Sequence, residues 1–238
     1  MEILFIFIAF ITEIVGTVAG FGSSTIVLPI SLFFFDFNTA LIVVAFLHLF
    51  GNIGRLSFFR YGLDKKILIR FGIPNIIFTI VGALLISYIS QDILKGILGL
   101  FLIAYTLISW SKTFNFSQSN TAMFMGGGVS GFFAGLIGTG GALRGAFLTA
   151  FGLPKEKFIA TKAAIALAVD LTRIPIYLSQ SSLESKVSLF IFILFPVVIF
   201  GSYIGNIIVK KISQHHFRKI VLAAIFVIGL TLAYNWLF

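Results

Sequence analysis

Two glycine-rich breaks carry the groups best suited to hold a ligand. Gly20, Gly22, Ser23 and Ser24 form one, and Gly138, Thr139, Gly140 and Gly141 form the other. Each leads into an apolar stretch, 24 to 35 or 142 to 152, that is too short to cross a bilayer as a helix. A half-helix that begins inside a membrane presents unpaired N–H groups and the positive end of its dipole, and so attracts anions. Glycine lets the backbone approach a ligand closely, and the hydroxyls of Ser23, Ser24 and Thr139 can donate to its oxygens. Arg144 falls in the first turn of the second short stretch, where a guanidinium could close a fork on an oxyanion. The implied chemistry is capture of a small anion, with no bond made or broken.

A second constellation lies on longer stretches. His48, Asn52 and Arg55 are spaced i, i+4, i+7 and share one helix face, and the corresponding face later in the chain reads Lys162, Ala166, Asp170, Arg173. Ionisable groups in a membrane are expensive and normally face a cavity or a partner. Asn52 and Asp170, several turns from either end, are therefore candidates to line a pathway. Arg55 and Arg173 lie nearer the ends, where pathway lining competes with snorkelling or an ion pair, and Lys162 fits snorkelling. Glu13 stands halfway along the first apolar run with no basic neighbour in sequence, either as a proton-coupling carboxylate or as a hydrogen-bonded structural group. His48 is either a relay or a packing histidine. Glu13, His48 and Arg55 are the candidates for coupling or gating. Gly127, Gly131 and Gly135, like Gly16 and Gly20, have the spacing that lets membrane helices pack closely.

The elements that must position these groups are membrane helices. Of the 238 residues, 59% are hydrophobic and only 11% charged, and mean hydropathy is +1.10, far from the balance of a soluble domain. With no Cys, disulfides, thiolate metal sites and iron–sulfur clusters are excluded. There is no phosphate-binding loop, HExxH pair or nucleophile elbow, so neither an enzyme, a metal site nor a cofactor is implied. The formal charge of +9 reflects basic cytoplasmic loops rather than a nucleic-acid partner. Met1-Glu2-Ile3-Leu4 lacks the basic start of a cleavable signal, so the first apolar run is expected to be retained.

Ten apolar segments can be delimited, at 3 to 19, 24 to 35, 39 to 58, 67 to 88, 93 to 110, 121 to 137, 142 to 152, 157 to 178, 187 to 209 and 217 to 237. Six are long enough to span, and the first and sixth are marginal. An offset of 118 places Arg173 on Arg55, Asp170 on Asn52, Gly140 on Gly22 and Gly138 on Gly20, and an offset of 123 places Ser213-Gln214 on Ser90-Gln91. The chain therefore reads as two copies, 1 to 115 and 116 to 238. Loop charges set their orientation. Arg60, Lys65, Lys66 and Arg70 follow the third segment of copy one, whereas the matching loop of copy two has Lys186 balanced by Glu184. The next loop reverses this, with Lys210, Lys211, Arg218 and Lys219 against Asp92 and Lys95. The positive-inside rule makes the copies inverted, with both termini outside and Lys112, Lys155 and Lys157 inside.

The runs Gly20-Phe21-Gly22-Ser23-Ser24 to Leu28-Pro29, His48 to Arg55, Ala134 to Phe147, Phe151-Gly152-Leu153-Pro154-Lys155 and Asp170-Leu171-Thr172-Arg173 resemble the sulfite exporter TauE/SafE family of membrane permeases. The resemblance covers nearly the whole chain, with its paired glycine motifs at matching places in both halves. It implies a multi-pass transporter of the cell membrane that moves sulfite, thiosulfate or an organosulfonate. Many members carry a fuller glycine run and a following proline in both halves; here Ser23-Ser24 and Ala142 replace glycines, and Phe147 stands opposite Pro29. These departures fall where ligand would bind and so bear on substrate more than on fold.

The expectation is an all-α polytopic membrane protein of two inverted repeats, each of about five helical segments with a broken short helix. Its function would be export of a small anion by alternating access, with a non-transporting scaffold or an anion channel as alternatives. Substrate binding falls to Gly20, Gly22, Ser23, Ser24, Asn52, Gly138, Thr139, Gly140, Gly141, Arg144, Asp170 and Arg173. The expected partners are the anion, the lipid bilayer and a coupling proton or other ion.

Overall fold

The computed structural model describes residues 2–19, 22–58, 62–111, 118–181, 183, 185–209 and 214–237. Gly20 lies outside the described residues, as do the loop charges Arg60, Lys112, Glu184, Lys210 and Lys211 and the repeat marker Ser213. The described residues form ten helices and no strand: α1 (Glu2–Ala19), α2 (Ser24–Ser31), α3 (Phe37–Phe58), α4 (Lys65–Tyr88), α5 (Gln91–Ser111), α6 (Asn120–Leu136), α7 (Gly141–Ala150), α8 (Lys155–Gln180), α9 (Ser185–Val209) and α10 (Gln214–Leu237). The chain is an all-α membrane protein, with five helical segments in each half as the apolar pattern anticipates.

Length and apolarity coincide in four spans, Phe37–Ser57, Lys65–Tyr88, Gln91–Trp110 and Val187–Ile208. Helix α8 is longer, at 26 residues, but carries Lys162, Asp170 and Arg173, which lowers its apolarity. The apolar runs of α1 (Ile3–Val18) and α10 (Val221–Leu237) are shorter than the four spans. In α10 the run begins only after the polar turn that opens the helix. Helix α4 widens into a π-helical stretch at Leu68–Gly72 just before Pro74. The proline ring has no N–H to give to the ladder, and the wider turn absorbs the defect.

Apolar side chains cover the outside. Ile77, Phe124, Phe192, Phe200 and Val227 are exposed, whereas Glu13, Asn52, Asp170 and Arg173 are buried. That inverts a soluble protein and suits a lipid surround, where the interior must satisfy every polar group. The principal pairings are α1 with α9, α4 with α6, α3 with α8, and α5 with α10, while α2 touches α7. Exchanging helices α1–α5 with α6–α10 leaves this set of pairings unchanged.

The α4–α6 contact shows why the spaced glycines are there. A side-chain carbon at Gly127, Gly131 or Gly135 would run into the carbonyl oxygen of Phe71, Asn75 or Thr79. These glycines pack backbone on backbone. Gly131→Leu is expected to destabilise the protein by about 3 kcal/mol, the upper end for overpacking, because a carbonyl cannot rotate away as a side chain can. Thermal unfolding in detergent would read the loss, and an unchanged melting temperature would show that α6 can slide off α4 freely.

Candidate functional site

The two breaks turn the chain in related ways. Gly22 has φ +88° and Gly138 φ +69°, both in the left-handed region that only glycine adopts without strain. Gly22 immediately precedes Ser23, the cap of α2, whereas Gly138 stands two residues before Gly140, the cap of α7. By conformation Gly138 thus matches Gly22, although the sequence offset pairs it with Gly20. The Gly22 N–H donates to Gly16 O at 3.3 Å and folds the turn back on α1. Thr139 Oγ1 donates to Thr25 Oγ1 at 2.9 Å and joins the starts of the two short helices. The hydroxyls of Ser23 and Ser24 are buried with no hydrogen-bond partner.

Between the breaks, the polar residues of α3 and α8 form one bonded chain centred on Asp170. Its Oδ2 accepts from His48 Nδ1 at 2.9 Å and Asn52 Nδ2 at 3.2 Å. Its Oδ1 accepts from Arg173 Nε at 3.0 Å and faces Arg173 Nη2 at 2.8 Å. Arg173 Nη1 also donates to Ala134 O and Gly138 O, both at 2.9 Å, and Tyr177 Oη donates to Ala134 O at 3.1 Å and Gly135 O at 2.5 Å. Ala134 and Gly135 are in the last turn of α6, whose carbonyls the helix leaves without partners, and Gly138 is in the break that follows. Arg173 and Tyr177 therefore act as a cap supplied from another helix.

Arg55 repeats the theme on the other side. Its Nη1 donates to Asn52 Oδ1 at 2.8 Å and its Nε to Thr17 Oγ1 at 3.4 Å, while Nη2 forms an ion pair with Glu13 Oε1. Ser202 Oγ donates to the same Glu13 oxygen at 2.5 Å, and Glu13 Oε2 is buried with no partner. In each half an arginine on the third helix reaches its i−3 neighbour and the helix before the break.

A cavity of about 50 Å³ opens where α1, α3, α8 and α9 meet, with Gly22, His48, Asn52, Arg55, Lys162 and Ser202 in its wall. That is room for several waters or a small anion. The Lys162 ammonium lies 5.6 Å from the Phe158 ring centroid. Of the residues singled out in the sequence, Gly22, His48, Asn52 and Arg55 reach the cavity and Glu13 stands one bond behind it. Ser23 and Ser24 are buried and do not line it. Gly138, Thr139, Gly140, Gly141, Arg144, Asp170 and Arg173 do not line it. Arg144, 1% exposed, donates from Nη2 to Asn75 Oδ1 at 3.0 Å, leaves Nε unpartnered and makes no ion pair among the described residues. Leu41, Val44, Thr79, Ala83 and Tyr177 are all buried, and a side-chain carbon at Gly138 would meet Leu28 and Leu41. A larger groove of about 480 Å³, walled by residues such as Leu100, Phe101, Phe133 and Leu143, is apolar and offers an anion no charge.

Ser202, Asn206, Thr17, Asn75 and Tyr177 join the site without having been singled out in the sequence. Asn75 and Ser202 interrupt strongly apolar helices, and that isolation was the available signal. Charge balance then decides what the interior can hold. Three buried or nearly buried guanidiniums, of Arg55, Arg144 and Arg173, face two carboxylates, of Glu13 and Asp170. An uncompensated cation in low dielectric favours an anion nearby.

The family model for Sulfite exporter TauE/SafE matches residues 5–232. A protein of Methanocaldococcus jannaschii named as a probable membrane transporter is 27% identical over 257 aligned positions, covering 95% of this chain and 93% of its own. No solved structure matches the chain.

Proposed function

This chain belongs to the sulfite exporter TauE/SafE family and is a membrane transporter, and from that premise we propose that it exports a small anion, sulfite, thiosulfate or an organosulfonate, across the cell membrane by alternating access. The observation that carries the reading is the cavity with Arg55, Lys162 and His48 in its wall, inside a bundle that, among the described residues, sets three buried or nearly buried arginines against two carboxylates. Gly22 brings the backbone of the first break to the cavity, and Asn52 links Arg55 to Asp170. Asp170 and Arg173 hold the wall. Gly138, Thr139, Gly140, Gly141 and Arg144 form the counterpart break, which would meet the ligand in the opposite state.

Two inverted halves supply that second state. The pairing of helices is unchanged when the halves are exchanged, and the counterparts of the cavity residues Ile159 and Ser202, at the offsets of 118 and 123, are the buried Leu41 and Thr79. Rocking one half against the other swaps which face is open. In this orientation the cavity faces the cytoplasm, next to the basic ends of α3 and α8. A reporter active only outside the cell, fused after Phe238, is expected to be active; a cytoplasmic reading would overturn the inverted arrangement.

The direct test is flux. Purified protein in liposomes is expected to move labelled thiosulfate saturably, with sulfite and sulfonates competing. A channel would show single-channel conductance instead, and folded protein that moves no sulfur oxyanion would end the reading.

A further inference from the structure

The residues around Glu13 describe a competition. Its carboxylate is completely buried and sits against the α3 backbone: a side-chain carbon at Gly51 would lie 2.5 Å from Oε1 and 2.9 Å from Oε2. Oε1 takes the Arg55 guanidinium and the Ser202 hydroxyl, while Oε2 has nothing. An ionised carboxylate with one oxygen buried and unpaired is unfavourable. Arg55, meanwhile, is the guanidinium in the cavity wall, with its side chain 12% exposed. Any oxyanion that enters must approach the cation that Glu13 already neutralises. Two negative charges about 5 Å apart repel by roughly 3 kcal/mol at an effective dielectric near 20.

We propose that Glu13 and the transported anion compete for Arg55, so that each anion bound is accompanied by one proton, taken by Glu13 on its unpartnered Oε2. This deepens the anion-transport reading above and rests on it. The balance is simple. A proton from water bonds to Oε2, the carboxyl becomes neutral and keeps the Ser202 hydrogen bond, and Arg55 passes to the anion. Anion and proton then cross together; a dianion accompanied by one proton carries one net negative charge, which an inside-negative potential drives outward against an inward proton gradient.

The other groups near the cavity are less suited to the proton. Both oxygens of Asp170 are occupied by His48, Asn52 and Arg173. His48 spends Nδ1 on Asp170, and its Nε2 stands near Gly22. A proton added there would raise the charge of the site but leave the Glu13 carboxylate on Arg55. Lys162 and Arg173 are cations already. From α9 the cavity receives Ser202 and Asn206, neither of which titrates.

Protons taken up per anion bound are measured on the purified wild-type protein in weak buffer with a pH indicator. Thiosulfate is the probe, because it stays a dianion near neutral pH and carries no proton of its own. The expected result is one proton per thiosulfate, with affinity falling about tenfold per unit rise in pH while free Glu13 is ionised. Glu13→Gln is expected to bind thiosulfate with no proton uptake and no such pH dependence. Binding without uptake in the wild type overturns the proposal, as does uptake that persists in Glu13→Gln, which would place the proton on His48. Absence of binding of thiosulfate, sulfite and sulfoacetate to folded protein overturns the anion-transport reading itself. The wild-type measurement stands alone should the variant not fold.

Discussion

Arg173→Ala is expected to yield little or no folded protein. The guanidinium holds both the Asp170 carboxylate and the carbonyls of Ala134 and Gly138. Its removal leaves a fully buried carboxylate without its cation and the Gly138 carbonyl without its donor, while Ala134 O keeps only Tyr177. Breaking a buried ion pair from one side is worth about 3–5 kcal/mol, a large share of the roughly 5–15 kcal/mol that holds a typical fold. Size-exclusion profiles and thermal unfolding in detergent would show aggregation or a steep fall in melting temperature. Because the harm comes mainly from the charge left behind, Asp170→Asn added to Arg173→Ala is expected to recover part of it. Additive losses in that double-mutant cycle would show the two residues to be independent, against the geometry.

Arg55→Ala is expected to act on function as well as on folding, because it also leaves the buried Glu13 carboxylate without its cation. It withdraws the cavity's guanidinium, and a charge-assisted hydrogen bond contributes about 1.5–3 kcal/mol, so anion affinity should fall about 10- to 100-fold. Arg55→Lys should keep part of the affinity, since the charge stays while the two-pronged geometry is lost. Equilibrium binding of labelled thiosulfate to folded protein is the measurement. Unchanged affinity in Arg55→Ala would move the site away from this cavity, with Arg144 at the other break as the next place to look. Arg144 makes no ion pair among the described residues, so its alanine variant should lose transport while inserting normally.

Much of this arrangement is legible in the amino-acid order. Hydrophobic runs and their interruptions locate ten helices because a bilayer permits few other backbones. An internal offset finds Arg55 with Arg173 and Asn52 with Asp170, and the structure places the members of each pair on α3 and α8. Small-residue spacing at Gly127, Gly131 and Gly135 announces the tight α4–α6 contact, since backbone contact tolerates no side chain. The choice between a free carboxylate and a structural one at Glu13 could not be made from sequence, because its cation lies 42 positions away on another helix. Ser202, 189 positions away, was more distant still.

The sequence by itself determined that the chain is a helical membrane protein, where its helices break, and which polar residues must be paired or face a cavity, because those follow from local composition against a uniform apolar solvent. Only the tertiary structure decided which of two equivalent arginines serves the backbone and which faces the cavity. Arg173 meets bare carbonyls at the end of α6, whereas Arg55 meets Glu13 and an open space. The halves share their residue types but not their packing, and the difference is made by long-range contacts that no spacing along the chain records.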